Sequence, residues 1–142
     1  MPRRRPGAIR AELRYPPGRP TAIPGLSAAT CAAIDRAELR PLRMYSTAHV
    51  LGVLRRFLRT PSRWLYLTPS THPCCDDGVI AARDQLADMH RALPARARRE
   101  FAVVLARLDA ELWRRTIPAP GPWRRRLDPG DPGWWHQRLR GE

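Results

Sequence analysis

The chain has 142 residues, enough for one domain with a modest core and tails. Its 26 basic residues, all of them arginine, outnumber 13 acidic residues and give a net charge of +13. No run approaches the roughly 18 apolar residues that a membrane span needs, and no apolar stretch follows the basic N-terminus as in a secretory signal. We therefore expect a cytoplasmic protein without membrane contact, and the odd number of cysteines, 3, argues against a disulfide framework.

Both ends of the chain are rich in arginine and proline. Residues 1–19 hold six arginines against one glutamate, and residues 114–142 hold seven arginines against three acidic residues. Because proline lacks a backbone donor and fixes φ, both ends are predicted to be extended. We predict a basic Pro-rich arm over residues 1–20, a helical core domain over 21–116 and a Pro/Trp/Arg-rich arm over 117–142.

Four helices are predicted in the core, which places the protein in the all-α class as a small bundle with extended arms. Ser27 caps the first helix, Ser46 or Thr47 begins the second, and a break at Pro94 separates the third from the fourth. The predicted bounds are about 27–40, 46–60, 77–93 and 94–115. The apolar stripes at helical spacing are Val50, Val53, Leu54, Phe57 and Leu58 in the second helix, Val79, Ala82, Leu86, His90 and Leu93 in the third, and Phe101, Val104, Leu105, Leu108 and Leu112 in the fourth.

The connection between the second and third helices, residues 61–76, is longer than is usual in a compact domain. Its stretch RWLYLT has the composition of a strand, but no second strand is evident to pair with it. We expect an extended segment in which Trp64 or Tyr66 seals the bundle.

The end of that connection, THPCCDDG, concentrates residues that bind metals or react as nucleophiles. A zinc site normally takes four ligands in defined pairs, and only one cluster exists here, which leaves His72, Cys74 and Cys75 as weak candidates. A reactive Cys75 is opposed by two neighbouring carboxylates. The favoured interpretation is a helix start capped by Asp76 or Asp77, and no metal or other cofactor is predicted.

Catalytic sequence motifs give no support for an enzyme. The patterns G-x-S-x-G, G-x-x-x-x-G-K-[ST], G-x-G-x-x-G and H-E-x-x-H are all absent from the sequence. A binding role is therefore favoured over an enzyme that uses cysteine and histidine.

Three arginines stand at the start of the fourth helix: Arg96, Arg98 and Arg99. Cations at a helix N-terminus oppose the macrodipole by about 0.3 to 1 kcal/mol each. Either they are tolerated on a wet surface, or a polyanion or an acidic partner compensates them.

The C-terminal arm interleaves tryptophans with arginines. Arginine binds phosphates through paired hydrogen bonds, and an indole stacks on an unpaired base. This combination suits single-stranded or structured nucleic acid. Two alternatives stay open: the arm folds back over its own domain, or the tryptophans anchor a protein interface. The N-terminal arm is expected to follow phosphates without sequence preference.

We therefore predict a non-enzymatic, nucleic-acid-binding accessory protein. The alternative is a protein-interaction subunit whose basic arms wrap an acidic partner or a larger assembly and order on binding. The predicted nucleic-acid-binding residues are Arg3, Arg4, Arg5, Arg96, Arg98, Arg99, Arg124, Arg125, Arg126, Trp134 and Trp135.

Overall fold

A computed structural model describes residues 21–39, 45–67 and 78–140, and these residues form four α-helices. They are α1 (Ala28–Glu38), α2 (Thr47–Leu58), α3 (Val79–Ala92) and α4 (Ala95–Arg115), and a 3-10 turn follows at Trp134–Gln137. The predicted all-α bundle of about four helices is confirmed.

Two of the predicted helix starts are made by serine caps. Ser27 and Ser46 occupy the N-caps of α1 and α2, and each side-chain oxygen accepts a hydrogen bond from a backbone N–H three residues further on. The N-cap of α3 is Gly78, which makes no side-chain cap. The predicted capping residues Asp76 and Asp77 lie outside the described residues.

The break between α3 and α4 is confirmed at Pro94. Both Leu93 and Pro94 are extended, with ψ angles of 147° and 157°, so the chain leaves α3 and enters α4 within two residues. Arg98 reaches back across this turn, and its guanidinium donates to the carbonyls of Arg91 and Leu93, the latter at 2.9 Å. Arg98 therefore caps the negative end of α3, which offsets its unfavourable place at the start of α4.

The core lies where the apolar stripes of the helices meet, and α4 contacts α1, α2 and α3. The predicted stripes supply half of its buried residues, and four members of those stripes are only half-buried: Val53, Phe57, His90 and Leu108. Leu51 and Met89, which stand outside those stripes, are buried as completely as their best members. The largest fully buried side chains are Trp134, Phe101, Ile34, Leu51, Leu54, Leu67, Leu86, Met89, Leu93 and Leu112.

The segment after α2 is extended, as expected, but the side chains that it buries are not the predicted ones. Leu65 and Leu67 are buried, whereas Trp64 is 40% exposed and Tyr66 is 47% exposed. Side chains alternate between the two faces of an extended chain, so burial of the leucines turns both aromatic rings outward. The expectation that Trp64 or Tyr66 seals the bundle is wrong.

This segment pairs with a part of the chain that the sequence analysis treated as an arm. The Leu65 N–H donates to the Arg115 carbonyl at 2.7 Å, and the Leu67 N–H donates to the Leu139 carbonyl at 3.0 Å. The Leu139 N–H in turn donates to the Ile117 carbonyl at 2.8 Å. Three extended segments thus meet at isolated bridges, and no longer strand forms among the described residues.

A carboxylate of α4 fixes the start of α1. Glu100 accepts hydrogen bonds from the Ser27 N–H at 2.6 Å, from the Ser27 hydroxyl at 2.8 Å and from the Thr30 hydroxyl. The hydrogen bonds from Thr30 and Ser27 lower the pKa of the Glu100 carboxyl, with a smaller contribution from the charge of Arg96. The ionised form of Glu100 therefore stabilises the contact between α1 and α4.

Replacing Glu100 with glutamine is expected to lower stability in a pH-dependent way. A carboxyl whose pKa is lowered by folding stabilises the protein above its unfolded pKa, about 4.3, and loses that contribution as the pH falls through the folded pKa. The difference in free energy of unfolding between wild type and Glu100→Gln, measured with urea from pH 7 to pH 3, should therefore shrink as the pH falls. Thr30→Val, which removes one donor, should reduce the same pH dependence, and a difference that stays constant with pH would contradict the assignment.

Candidate nucleic-acid interface

The solvent face of α4 carries a row of arginines. At 100° per residue, Arg96, Arg99, Arg107 and Arg114 fall within an arc of about 80°, and all four are exposed. At 1.5 Å per residue the row is about 27 Å long. We call these four residues the α4 arginine row. The opposite side of the helix, centred on Phe101, packs into the core.

The charge of this row is poorly neutralised. Within the described part of the chain, Arg96, Arg99 and Arg107 pair with no carboxylate, and Arg114 makes a 2.7 Å pair with Glu111 in which both side chains are exposed. Exposed pairs of this kind contribute about 0 to 1 kcal/mol. The carboxylate of Glu100 is held by the hydroxyls at the start of α1, so the row presents a positive surface to solvent.

A second basic region lies at the end of α2. No acidic residue occurs in the chain between Glu38 and Asp76. Arg56, Arg59 and Arg63 are exposed in this part of the chain, and the cations in the last turn of α2, Arg55 and Arg56, interact favourably with the helix macrodipole.

Arg115 joins this region to the end of α4. Its guanidinium donates to the carbonyls of Leu58, Thr60 and Ser62, the second of these at 2.6 Å. One side chain thereby satisfies carbonyls at the end of α2 and in the turn after it. The α4 arginine row consequently ends beside the basic end of α2.

The exposed aromatic rings lie in the segment that follows this turn. Trp64 and Tyr66 point outward from the extended segment, and the guanidinium carbon of Arg63 lies 5.5 Å from the centre of the Trp64 ring. The hydroxyl of Ser62 donates to the Trp64 carbonyl at 2.8 Å, which helps to fix the backbone there. We call Trp64 and Tyr66 the aromatic pair.

The tryptophans that the sequence analysis assigned to base stacking are placed elsewhere. Trp134 is 1% exposed and Trp135 is 5% exposed, so neither ring offers a face to a nucleotide. Trp134 packs edge-on against Trp113 with ring centres 5.1 Å apart. The indole N–H of Trp135 donates to Asp84 at 2.8 Å, and the Arg83 guanidinium carbon lies 4.1 Å from the centre of its ring. These contacts correspond to the alternative in which the segment folds back on its own domain.

Arg138 anchors that fold-back. It is 4% exposed, and its guanidinium donates to the Thr116 hydroxyl at 2.8 Å, to the Trp113 carbonyl at 3.0 Å and to the Thr116 carbonyl. Its guanidinium carbon also lies 4.2 Å from the centre of the Trp113 ring. Burial lowers the pKa of Arg138, but an arginine stays charged at neutral pH.

A cleft of about 820 Å³ lies between α3, α4 and residues 129–135. Each of its four aspartates already has a partner within the protein. Asp84 accepts from Trp135 and His136, Asp88 pairs with Arg91, Asp109 pairs with Arg83, and Asp131 pairs with Arg125. The Arg83–Asp109 pair is bidentate, with both nitrogen–oxygen distances at 2.7 Å. Asp109 therefore holds α4 against α3, and Asp84 holds the C-terminal segment against α3, whereas the pairs of Asp88 and Asp131 each lie within one element.

The remaining predicted residues have different placements. Arg96 and Arg99 belong to the α4 arginine row, whereas Arg98 caps α3. Arg124 and Arg126 are exposed, and Arg125 is tied to Asp131 at 2.8 Å. Of the predicted site residues, six lie outside the part of the chain that the structure describes: Arg3, Arg4, Arg5, His72, Cys74 and Cys75. Within the part that is described, no group of three or more His, Cys, Asp or Glu side chains has the spacing of a metal site.

Sequence reasoning missed Arg107, Arg114 and the aromatic pair as surface groups. Projecting the polar residues of α4 at 100° per residue brings Arg107 and Arg114 into line with Arg96 and Arg99, so the sequence carried that signal. The outward direction of Trp64 and Tyr66 depends on which face of the segment the core covers, which the sequence of the segment alone does not give.

Comparison with family models, curated proteins and solved structures found no match to this chain. None of the four helices described is long and apolar enough to cross a lipid bilayer.

Removing the buried Trp134 ring is expected to destabilise the protein strongly. Replacing a buried tryptophan with alanine costs about 3 to 5 kcal/mol, because it leaves a cavity in the core. Trp123, which is 40% exposed, is the matched control, and Trp123→Ala should cost less than about 1 kcal/mol. Both values can be measured by urea unfolding, and equal losses from the two substitutions would contradict the packing of Trp134.

Proposed function

We propose that the protein is a non-enzymatic nucleic-acid-binding protein that holds phosphates with the α4 arginine row. The observation that carries the proposal is the alignment of Arg96, Arg99, Arg107 and Arg114 on one exposed helix face. Arginine suits this task because its planar guanidinium donates two parallel hydrogen bonds to a phosphate.

The rigidity of α4 supports this role. Its opposite side is packed against three other helices, and its start is fixed to α1 through Glu100. The arginines therefore sit on a scaffold whose spacing is set before a ligand binds, which lowers the ordering cost of binding. Long, flexible side chains on a fixed row suit a repeating polyanion better than one small anion.

Binding of this kind is electrostatic and indifferent to base sequence. Contacts with phosphates release counterions, so affinity falls steeply as salt rises. The exposed Arg124 and Arg126, and Arg3, Arg4 and Arg5 of the N-terminal arm, would add contacts of the same type. The excess of charge, +13 for the whole chain, favours fast association with a polyanion.

The rival function is that of a subunit whose basic arms hold an acidic protein. In the C-terminal segment Arg138 is buried and Arg125 is paired within the chain. Fewer of its arginines are therefore left for a partner than the sequence suggested. We favour nucleic acid because the α4 arginine row lies on a helix that is fixed by its packing against three others, and we make the acidic protein an outcome of the test.

The test compares two triple variants of the full-length protein that carry the same net charge. Arg96, Arg99 and Arg107 are replaced with glutamine in one, and the exposed Arg36, Arg91 and Arg140 in the other. Each neutralised duplex phosphate contributes about 0.9 to the slope of log K against log salt. The slope for duplex DNA should decrease by about 2.7 in the α4 variant and by less than about 1 in the control.

Two outcomes would contradict the proposal. Equal losses in both variants would mean that net charge and not the α4 arginine row determines binding. If the wild-type protein bound neither DNA nor RNA at low salt, an acidic protein would become the favoured partner.

A further inference from the structure

The aromatic pair is the least expected part of the surface. Large apolar side chains that are exposed singly need no explanation, but a contiguous exposed group of them marks a contact site for another molecule. Trp64 and Tyr66 are two of the five such residues in the described part of the chain, and they are the only two of the five that stand in one extended segment. Their side chains share one face, because they are separated by two positions.

The segment holds both rings in fixed places. Leu65 and Leu67 between and beside them are buried, and the backbone is tied by the Leu65–Arg115 and Leu67–Leu139 hydrogen bonds. Two residues of extended chain advance about 6.6 Å. The rings therefore present two aromatic faces in succession, each of a size that accepts one base.

The surroundings of the rings are basic. Arg63 lies against Trp64, and no acidic residue occurs between Glu38 and Asp76. The 2.7 Å hydrogen bond between Leu65 and Arg115 places the aromatic pair beside the end of α4, one residue from Arg114. A strand that follows the α4 arginine row with its phosphates would reach the aromatic pair with its bases.

We propose that Trp64 and Tyr66 stack on consecutive bases of a single-stranded nucleic acid. This inference rests on the proposed function, and it narrows the ligand to a strand whose bases are unpaired. Duplex bases are stacked on one another and offer no free face, whereas every unpaired base has one. Alternating arginines and aromatic rings are the chemistry that single-strand binding uses, and the described surface assembles it from α4 and the segment after α2.

The experiment compares two tryptophans of equal exposure in the full-length protein. Trp64→Leu and Trp123→Leu each remove a ring that is 40% exposed, so both variants should fold. Binding is measured by fluorescence anisotropy for a single-stranded 12-mer and for its duplex, each as DNA and as RNA. Because Trp64→Leu loses the stacking contact with one base, it should bind the single strand about 5- to 100-fold more weakly. The Trp123→Leu control should stay within about two-fold, and duplex binding should be unchanged in both.

A conservative variant and a spectroscopic signal complete the test. Trp64→Phe, which keeps a ring, should recover most of the single-strand affinity, and quenching of tryptophan fluorescence by the 12-mer should decrease in Trp64→Leu. Equal single-strand affinity in wild type, Trp64→Leu and Tyr66→Leu would overturn the inference while leaving phosphate binding by α4 intact. If the wild type bound neither the strand nor the duplex, the proposed function itself would fail.

Discussion

The arrangement of this protein depends on one buried guanidinium, that of Arg138. It is inserted between the last turn of α4 and the returning C-terminal segment, where it donates to the Trp113 and Thr116 carbonyls and to the Thr116 hydroxyl. Within the described residues no carboxylate pairs with it. Instead, the negative end of the α4 macrodipole and the face of the Trp113 ring stabilise the positive charge of the buried guanidinium.

The outward direction of the aromatic pair depends on that contact. Because the chain turns back at the end of α4, residues 134–135 fill the core, and the Leu139 carbonyl becomes available to pair with Leu67. That pairing and the one between Leu65 and Arg115 turn the leucines inward and the aromatic pair outward. Arg115, through its hydrogen bonds to the Leu58, Thr60 and Ser62 carbonyls, holds the end of α4 beside the basic end of α2. The C-terminal segment thus helps to assemble the proposed binding surface, although one of its arginines, Arg138, is buried and another, Arg125, is paired with Asp131.

Much of the fold could be predicted from sequence because local signals determine it. The serine caps, the break at Pro94 and the stripe of α4 are set by residues within one or two turns of each other. The site was harder, because composition gives the character of a side chain and not its surroundings. Trp134 and Trp64 both stand near arginines in the sequence, yet one is buried and the other is exposed. Which one is covered depends on pairing between segments 50 or more residues apart, such as that of Leu65 with Arg115, and no local pattern records such pairing. The role of Arg98 is local, because its side chain donates to the Leu93 carbonyl at the end of the preceding helix.

The central claim is that a single strand binds the outer face of α4 and the aromatic pair, and leaves the buried tryptophans untouched. An NMR titration of the ¹⁵N-labelled full-length protein with a single-stranded oligonucleotide tests it most directly, because each indole N–H and each backbone N–H of α4 reports on its own position. The account predicts that the indole signal of Trp64 and the backbone signals of Arg99 and Arg107 move together, while the indole signals of Trp134 and Trp135 stay in place. Shifts in the indole signals of Trp134 and Trp135, with no change in the signals of α4, would contradict this claim and would place the binding site in the C-terminal segment.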